Sequence, residues 1–455
     1  MNMADEVRNT ALAVLNTLDK NRFQKLDAAL ETELSKNARF TKRDRALIQT
    51  LVYGVLRWRA RIDWVIAHFS KTRLDKVDPK VLNILRLAIF QIMYLDRIPV
   101  SAAVNTSVEM AKSYAAPWVA GYVNGLLRNV AKTYQHVVYP DIEKNPVSAI
   151  AVEKSFPKWL IKKWYHRFGL KEVLLLCDAI NTIPPITVRT NTLKTSREIL
   201  AKLLEAYSDK IELTEYSPDG IFFFSPSASI PEIKAFEHGL FQIQDEAAQL
   251  VTLFLNPQPG EAVLDACAGR GGKTGHIAQL MKNRGKLVAA DKDKKKLAQL
   301  ETEMYRLGID IVKTQPHDLN KPFTHKRSET FDRILLDAPC SGLGVLRRNP
   351  DAKWDSSKQN LAYHNKRQAM MLDNLAHLVK PSGVLVYAVC STEPEENERV
   401  IKGFLNKHEE FAIENSATGL PLKACHLLTD NGYLKTFPHL HHMDGFFSVC
   451  LKRLK

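Results

Sequence analysis

A multidomain chain is predicted by this sequence: an all-α bundle, then a small α+β module, then a doubly wound α/β domain. Three observations predict it. The 455 residues exceed the size at which a single core keeps growing. Up to about residue 140 apolar residues recur at helical spacing, and from about residue 241 short apolar strands alternate with helical segments. Between them lie short strands around one helix, so the expected divisions are 1–140, 141–240 and 241–455.

In the first segment, DEVRNTALAVLNTLDK carries a helical repeat, and TKRDRALIQTLVYGVLRW opens on Thr41 as a capping residue. VLNILRLAIFQIMYL, from Val81 to Leu95, is apolar on nearly every side, which suits only the central helix of a bundle; VNTSVEMAKSY and WVAGYVNGLLRNVAK pack around it. Arg57, Arg59 and Arg61 are candidates for a phosphate-binding face. YPDIEKNP reads as a linker and FPKWLIKKWYHRFG as a basic helix interleaved with aromatics. The middle module has a strand in PPITVRTNTLK, carrying Arg189 and Asn191, a helix from about Ser196 to Ala206, and strands near GIFFFS and GLFQIQDEAAQL. AVLDACA, KLVAADK, GIDIVKTQ, RILLDAPC, GVLVYAVC and GFFSVCLKR then supply a mostly parallel sheet, whose ligands belong at the carboxyl ends of its strands.

The formal net charge is +14, and residues 1–140 hold 21 Lys and Arg against 12 Asp and Glu, a surplus of +9 in that segment. A polyanionic partner, most simply nucleic acid, is expected. Six scattered cysteines with no C-x-x-C pair exclude a disulfide framework and a cysteine zinc site, so a functional cysteine here is a nucleophile. His439, His441 and His442 read as a loop, and no metal is expected. The apolar runs are too short and interrupted to span a bilayer, and no secretory leader pattern is legible, so a cytoplasmic protein without a membrane partner is expected.

VLDACAGRGGKTGHIAQL is strand, glycine-rich turn and helix. Gly269, Gly271 and Gly272 let the backbone approach a ligand, the helix offers unpaired N–H groups, and Asp291 ends the next strand at the distance where an acid meets ribose hydroxyls. A phosphate-binding loop would need glycine where Cys267 stands, and a nicotinamide site would need glycine at Thr274. S-adenosylmethionine, with ribose and adenine but no phosphate, suits Asp265, Asp291 and Asp318, and the turn residues Cys267 and Ala268 line the same site.

LDAPCSGLG and VYAVCST each end a strand on a cysteine, Cys340 and Cys390, with Asp337 beside the first. Methylating carbon 5 of a pyrimidine needs such groups: a thiolate to add to carbon 6, an acid at ring nitrogen 3, and help for product release. Either cysteine could attack on this reading.

The two motifs, in this order after the glycine-rich turn, resemble the RNA 5-methylcytosine methyltransferases of the Sun (NOL/NOP/Sun) family. The resemblance implies Cys390 as nucleophile, Cys340 as the residue of product release and Asp337 as the acid, which also faces the cofactor. The DNA cytosine methyltransferases put the nucleophile in the proline-cysteine motif, so the opposite assignment stands as the alternative. The helical segment resembles the NusB-type RNA-binding domain of bacterial small-subunit ribosomal RNA methyltransferases of the cytosine-967 type, and RTN, FQIQDEAAQL, LRRNPDAKW and FPHLHHMDGFF resemble their flanking motifs. A Rossmann-like catalytic domain is thereby implied, with Lys273 in the cofactor motif and Arg189, Asn191, Arg347 and Arg348 on the substrate. So is a monomer acting on single-stranded or flippable cytosine in 16S ribosomal RNA. Two departures stand out: Gly269-Arg270 where Ala-Pro is common, and Val389 where threonine is common. A transfer RNA methyltransferase and a non-catalytic RNA-binding assembly protein are the competing expectations.

Overall fold

The capping signal at Thr41 is realised in full: its hydroxyl accepts from Asp44 N at 3.2 Å while its own N–H donates to the Asp44 carboxylate at 2.9 Å. The computed structural model describes residues 3–21, 25–114, 116–323 and 330–454, in two compact units: residues up to Thr182 with Asn349–Asp355, and Ile183–Arg348 with Ser356 onward.

The first unit is helical: α1 (Met3–Lys20), α2 (Leu26–Ser35), α3 (Lys42–Phe69), α4 (Pro79–Tyr94), α5 (Val100–Tyr114), α6 (Pro117–Thr133), α7 (Pro146–Glu153) and α8 (Lys158–Asn181). Helix α4 starts on an Asp78 cap with proline in its first turn, and Asn83 to Gln91 are all buried, so it is the central helix its composition demanded. Its interior polar groups are paired, Arg86 with both Asp63 oxygens at 2.7 and 2.8 Å. The expected phosphate face on α3 is not formed: Arg57 is buried, Arg59 pairs with Asp19 at 3.3 Å, and Arg61 lies over the Trp58 and Tyr139 rings. α7 and α8, beyond the expected division at 140, belong to this unit. Asn349–Asp355 joins it through Lys353, whose buried ammonium donates to Arg57 O, Ser155 O and Asn181 Oδ1, and through Trp354, whose indole donates to Leu56 O.

The second unit begins with an antiparallel sheet of β1 (Ile186–Thr190), β2 (Ile211–Leu213), β3 (Gly220–Phe223) and β4 (Phe241–Ile243), ordered β2-β3-β1-β4. The helix Arg197–Leu204, capped by Ser196, packs Leu200 and Leu204 with Val188, Ile221, Phe223 and Phe241 in its core. Next come β5 (Ala262–Asp265), β6 (Lys286–Asp291), β7 (Val312–Pro316), β8 (Phe331–Asp337) and β9 (Val379–Val389), and then β10 (Phe411–Ile413), β11 (Tyr433–Lys435) and β12 (Phe447–Arg453). The order is β10-β12-β9-β8-β5-β6-β7, with β11 also paired to β12. β5 to β9 are parallel, and β10, β11 and β12 are antiparallel; of these three the sequence signalled only β12. Alternate residues enter two cores, Val263 and Leu335 on one face and Leu264 and Leu336 on the other. The chain leaves β5 toward β6 and β7 and returns at β8, so the point where strand order reverses lies between β5 and β8.

Candidate active site

That reversal point gathers the acids. Asp265, at the end of β5, is buried; its Oδ2 accepts from Thr274 Oγ1 at 2.7 Å, and its Oδ1 has no hydrogen-bond donor. The following turn is held by Ala268 N on Ala290 O at 2.9 Å and by Gly269 N on Asp291 Oδ2 at 3.0 Å. Gly271 has φ +87°, and a Cβ there would stand 2.8 Å from Leu300 Cγ, so glycine is required on both counts. At Gly269 and Gly272 a Cβ would meet nothing within 4 Å, which leaves the turn open to a ligand. At the Gly269-Arg270 departure, Gly269 sits at φ +57°, where alanine would be strained, and Arg270 is exposed. Asp291 also accepts from Asp293 N at 2.9 Å, and Asp318 accepts from Asn320 N at 3.1 Å. Cys267, half-buried, has its thiol pushed up by burial and by Asp291.

These residues fit an S-adenosyl group: an orphaned buried acceptor at Asp265, an open glycine turn, and a carboxylate at Asp291 oriented by two backbone N–H groups. Burial pushes the Asp265 carboxyl up to about 7, with Thr274 opposing and Asp337 and Asp291 adding to the rise. The folded chain therefore keeps a proton that the unfolded chain loses near pH 4, and that contribution to stability disappears as pH rises through about 7. Asp265→Asn should gain stability over the natural chain between pH 4 and 7, by up to about 4 kcal/mol. Denaturant unfolding without ligand at several pH values measures it, and parallel pH dependences for the two proteins would refute it.

The reacting groups end the next two strands. Asp337 pairs across the ladder with Ala388, so the segments leaving β8 and β9 start side by side. Lys273, in the first turn of the helix Gly272–Leu280, donates to Asp337 Oδ2 at 2.6 Å and lies 5.2 Å from the Phe446 ring centre. Burial opposes the Lys273 charge, but Asp337 outweighs it and raises the ammonium above its ordinary value. Cys340 Sγ and Cys390 Sγ are 3.1 Å apart. The hydrogen bond with Cys390, burial and the nearby Glu396 raise the Cys340 thiol well above its ordinary value. Val389 is buried in an apolar cluster, so valine there removes no polar contact.

The comparisons follow this geometry. Residues 252–452 match the family model described as 16S rRNA methyltransferase RsmB/F, residues 5–132 the NusB family, and residues 156–229 the ferredoxin-like domain of RsmF/B-like methyltransferases. The probable ribosomal RNA small subunit methyltransferase B of Bacillus subtilis is 36% identical over 99% of each chain. Its counterpart in Synechocystis is 35% identical over 98% of this chain and 99% of its own. The chain belongs to the RsmB/F family of 16S rRNA methyltransferases. Among solved structures, the crystal structure of PH0851 has a TM-score of 0.81 at 27% identity, covering 100% of this chain and 99% of its own. Among the described residues, no helix is long and apolar enough to cross a membrane.

In this RsmB/F chain the four residues expected on the substrate are committed to the protein. Arg189 is fully buried, donating to Gln279, Gln244, Gln242 and Gly272 O, so it fastens the cofactor helix to the small sheet. Asn191, also fully buried, donates to Gly239 O and Leu307 O, both at 2.8 Å. Arg347 and Arg348 share the buried carboxylates Asp245 and Asp444. The reason is the same in each case: a guanidinium or amide taken out of water must find internal partners, and these have found them. The expected histidine loop includes a short helix, Pro438–His441. Sequence reasoning missed Asp245, Asp444 and Glu396; for Glu396 a signal existed in PEENE, an acid run five residues past a cysteine strand.

Proposed function

We infer that the chain methylates carbon 5 of a cytosine in small-subunit 16S ribosomal RNA, with S-adenosylmethionine as methyl donor and a transient bond between Cys390 and carbon 6. The observation that carries this reading is the 3.1 Å pair of cysteines beside Asp337 at the end of neighbouring parallel strands. The family resemblance gives the attack to the cysteine that follows β9, Cys390, and Cys340 stands 3.1 Å from it. Attack by deprotonated Cys390 forms the sulfur–carbon 6 bond and pushes the ring electrons toward carbon 5 and nitrogen 3, where Asp337, acting as the acid, gives a proton to nitrogen 3. Bound S-adenosylmethionine would supply an electrophilic methyl group for carbon 5, and Asp265, the Gly269–Gly272 turn, Lys273, Asp291, Asp318 and Asp337 would hold it. Water then takes the carbon 5 proton, the freed C–H pair re-forms the double bond between carbons 5 and 6, the sulfur–carbon 6 bond breaks with its pair returning to Cys390, and nitrogen 3 gives its proton back to Asp337; Cys340 assists that release.

An attacking thiolate needs the ring face, so the target is a single-stranded or flipped cytosine. The basic NusB-type segment suits phosphate contacts to flanking RNA, which add affinity more than base choice. The cytosine-967 position is the one the resemblance favours. Incubation with methyl-labelled S-adenosylmethionine and deproteinised, unmodified small-subunit RNA should yield labelled 5-methylcytidine after digestion. No label there, or label only on transfer RNA, overturns the substrate; no label on any RNA, intact subunits included, overturns the reaction.

A further inference from the structure

We propose that Glu396 is a positioning residue that sets the spacing of the two sulfurs, by tying the segment after Cys340 to the segment after Cys390. The inference rests on the two-cysteine reading above and adds the element that holds the pair.

Strand pairing between β8 and β9 ends at Asp337 and Ala388, so both cysteines lie beyond the ladder that aligns their strands. The backbone then joins the two segments by Ala338 N on Ala388 O at 2.9 Å and Gly344 N on Cys390 O at 3.0 Å. Glu396 supplies side-chain links. Its Oε1 accepts from Ser341 N at 2.8 Å and from Gln368 Nε2 at 3.2 Å, and its Oε2 accepts from Ser391 Oγ at 2.6 Å and from Ser341 Oγ. Ser341 follows Cys340 and Ser391 follows Cys390, so one carboxylate spans the residues next to both sulfurs. Tyr387, in β9, donates its hydroxyl to Glu396 O at 2.7 Å and fixes the backbone that carries the clamp.

Glu396 and Ser391 are fully buried, and a carboxylate is an expensive choice in such a place unless each oxygen is satisfied. Here each accepts two hydrogen bonds, all from groups that locate one of the cysteine segments or the helix Lys358–Ala376 behind them. None of these bonds goes to the glycine turn, so cofactor binding and sulfur spacing are held by separate residues. The same carboxylate contributes to keeping the proton on Cys340.

The test compares Glu396→Ala and Glu396→Gln with the natural chain in the 5-methylcytidine assay, alongside calorimetry with S-adenosylmethionine. Glu396→Ala should lower kcat by about 100-fold, because displacing a reacting group by an ångström has that effect, with RNA KM and cofactor Kd within about threefold. Glu396→Gln, which keeps the shape and can re-form the serine contacts, should recover kcat to within about tenfold. A Glu396→Ala kcat within about threefold of the natural chain would overturn the proposal. So would losses of kcat and cofactor affinity by the same factor without rescue by glutamine. If the alanine variant does not fold, the Ser341→Ala/Ser391→Ala pair carries the test: a loss of at least tenfold in kcat alone supports it, and anything smaller overturns it. A natural chain that makes no 5-methylcytidine would remove the underlying reading instead.

Discussion

Replacing Cys390 with alanine should abolish methylation and leave no covalent RNA–protein species, whereas Cys340→Ala should trap one. The asymmetry follows from the sulfur pair. In the proposed reaction Cys390 forms and later releases the bond to carbon 6, so its loss would remove the first step, a fall of about 10⁴-fold or more on the scale of catalytic nucleophiles. Cys340, 3.1 Å away with its thiol raised, acts in that reaction after the methyl has arrived, so its loss would leave attack possible and stall expulsion of the thiol. Labelled RNA run under denaturing conditions with and without S-adenosylmethionine would show a retarded, protease-sensitive band for Cys340→Ala alone. A retarded band with Cys390→Ala and none with Cys340→Ala would exchange the two roles.

Which parts of this site were legible follows from what each residue answers to. The ends of β5, β6, β8 and β9 could be found because apolar strands terminate in acids, glycines and cysteines, and strand ends in a parallel sheet converge on one edge. Helix α4 could be found because a helix apolar on every side has one place to go. Arg189, Asn191, Arg347 and Arg348 were expected on the substrate through the family resemblance, which does not report what each side chain touches in this fold. Whether a guanidinium meets a ligand or a buried acceptor depends on partners 53 to 163 positions away, such as Gln242 for Arg189 and Pro185 O for Arg348. The same limit hid Asn349–Asp355, whose Lys353 bonds to Arg57 O, 296 positions distant. Strands β10 and β11, three residues each, are too short for an alternating pattern to register.

Asp337→Asn should lower kcat by about 10² to 10³-fold, and a second substitution should separate this catalytic loss from a structural one. In the proposed reaction Asp337 serves the substrate, and in the fold it serves Lys273. Toward the substrate it would be the acid at ring nitrogen 3, and removing one such group has an effect of that size. Toward the protein it is the 2.6 Å partner of Lys273, whose side chain is only 11% exposed. The single substitution leaves that ammonium with an amide, which cannot balance its charge, and should destabilise the fold by about 2 kcal/mol. In Lys273→Met/Asp337→Asn no buried cation remains, so most of the lost stability should return while kcat stays low. Thermal unfolding and the 5-methylcytidine assay on the natural chain and the two variants measure both quantities. If activity returned with stability in the double variant, Asp337 would act only by holding Lys273; if neither returned, the Lys273 methylenes and ammonium would themselves be needed to shape the turn beside Gly272.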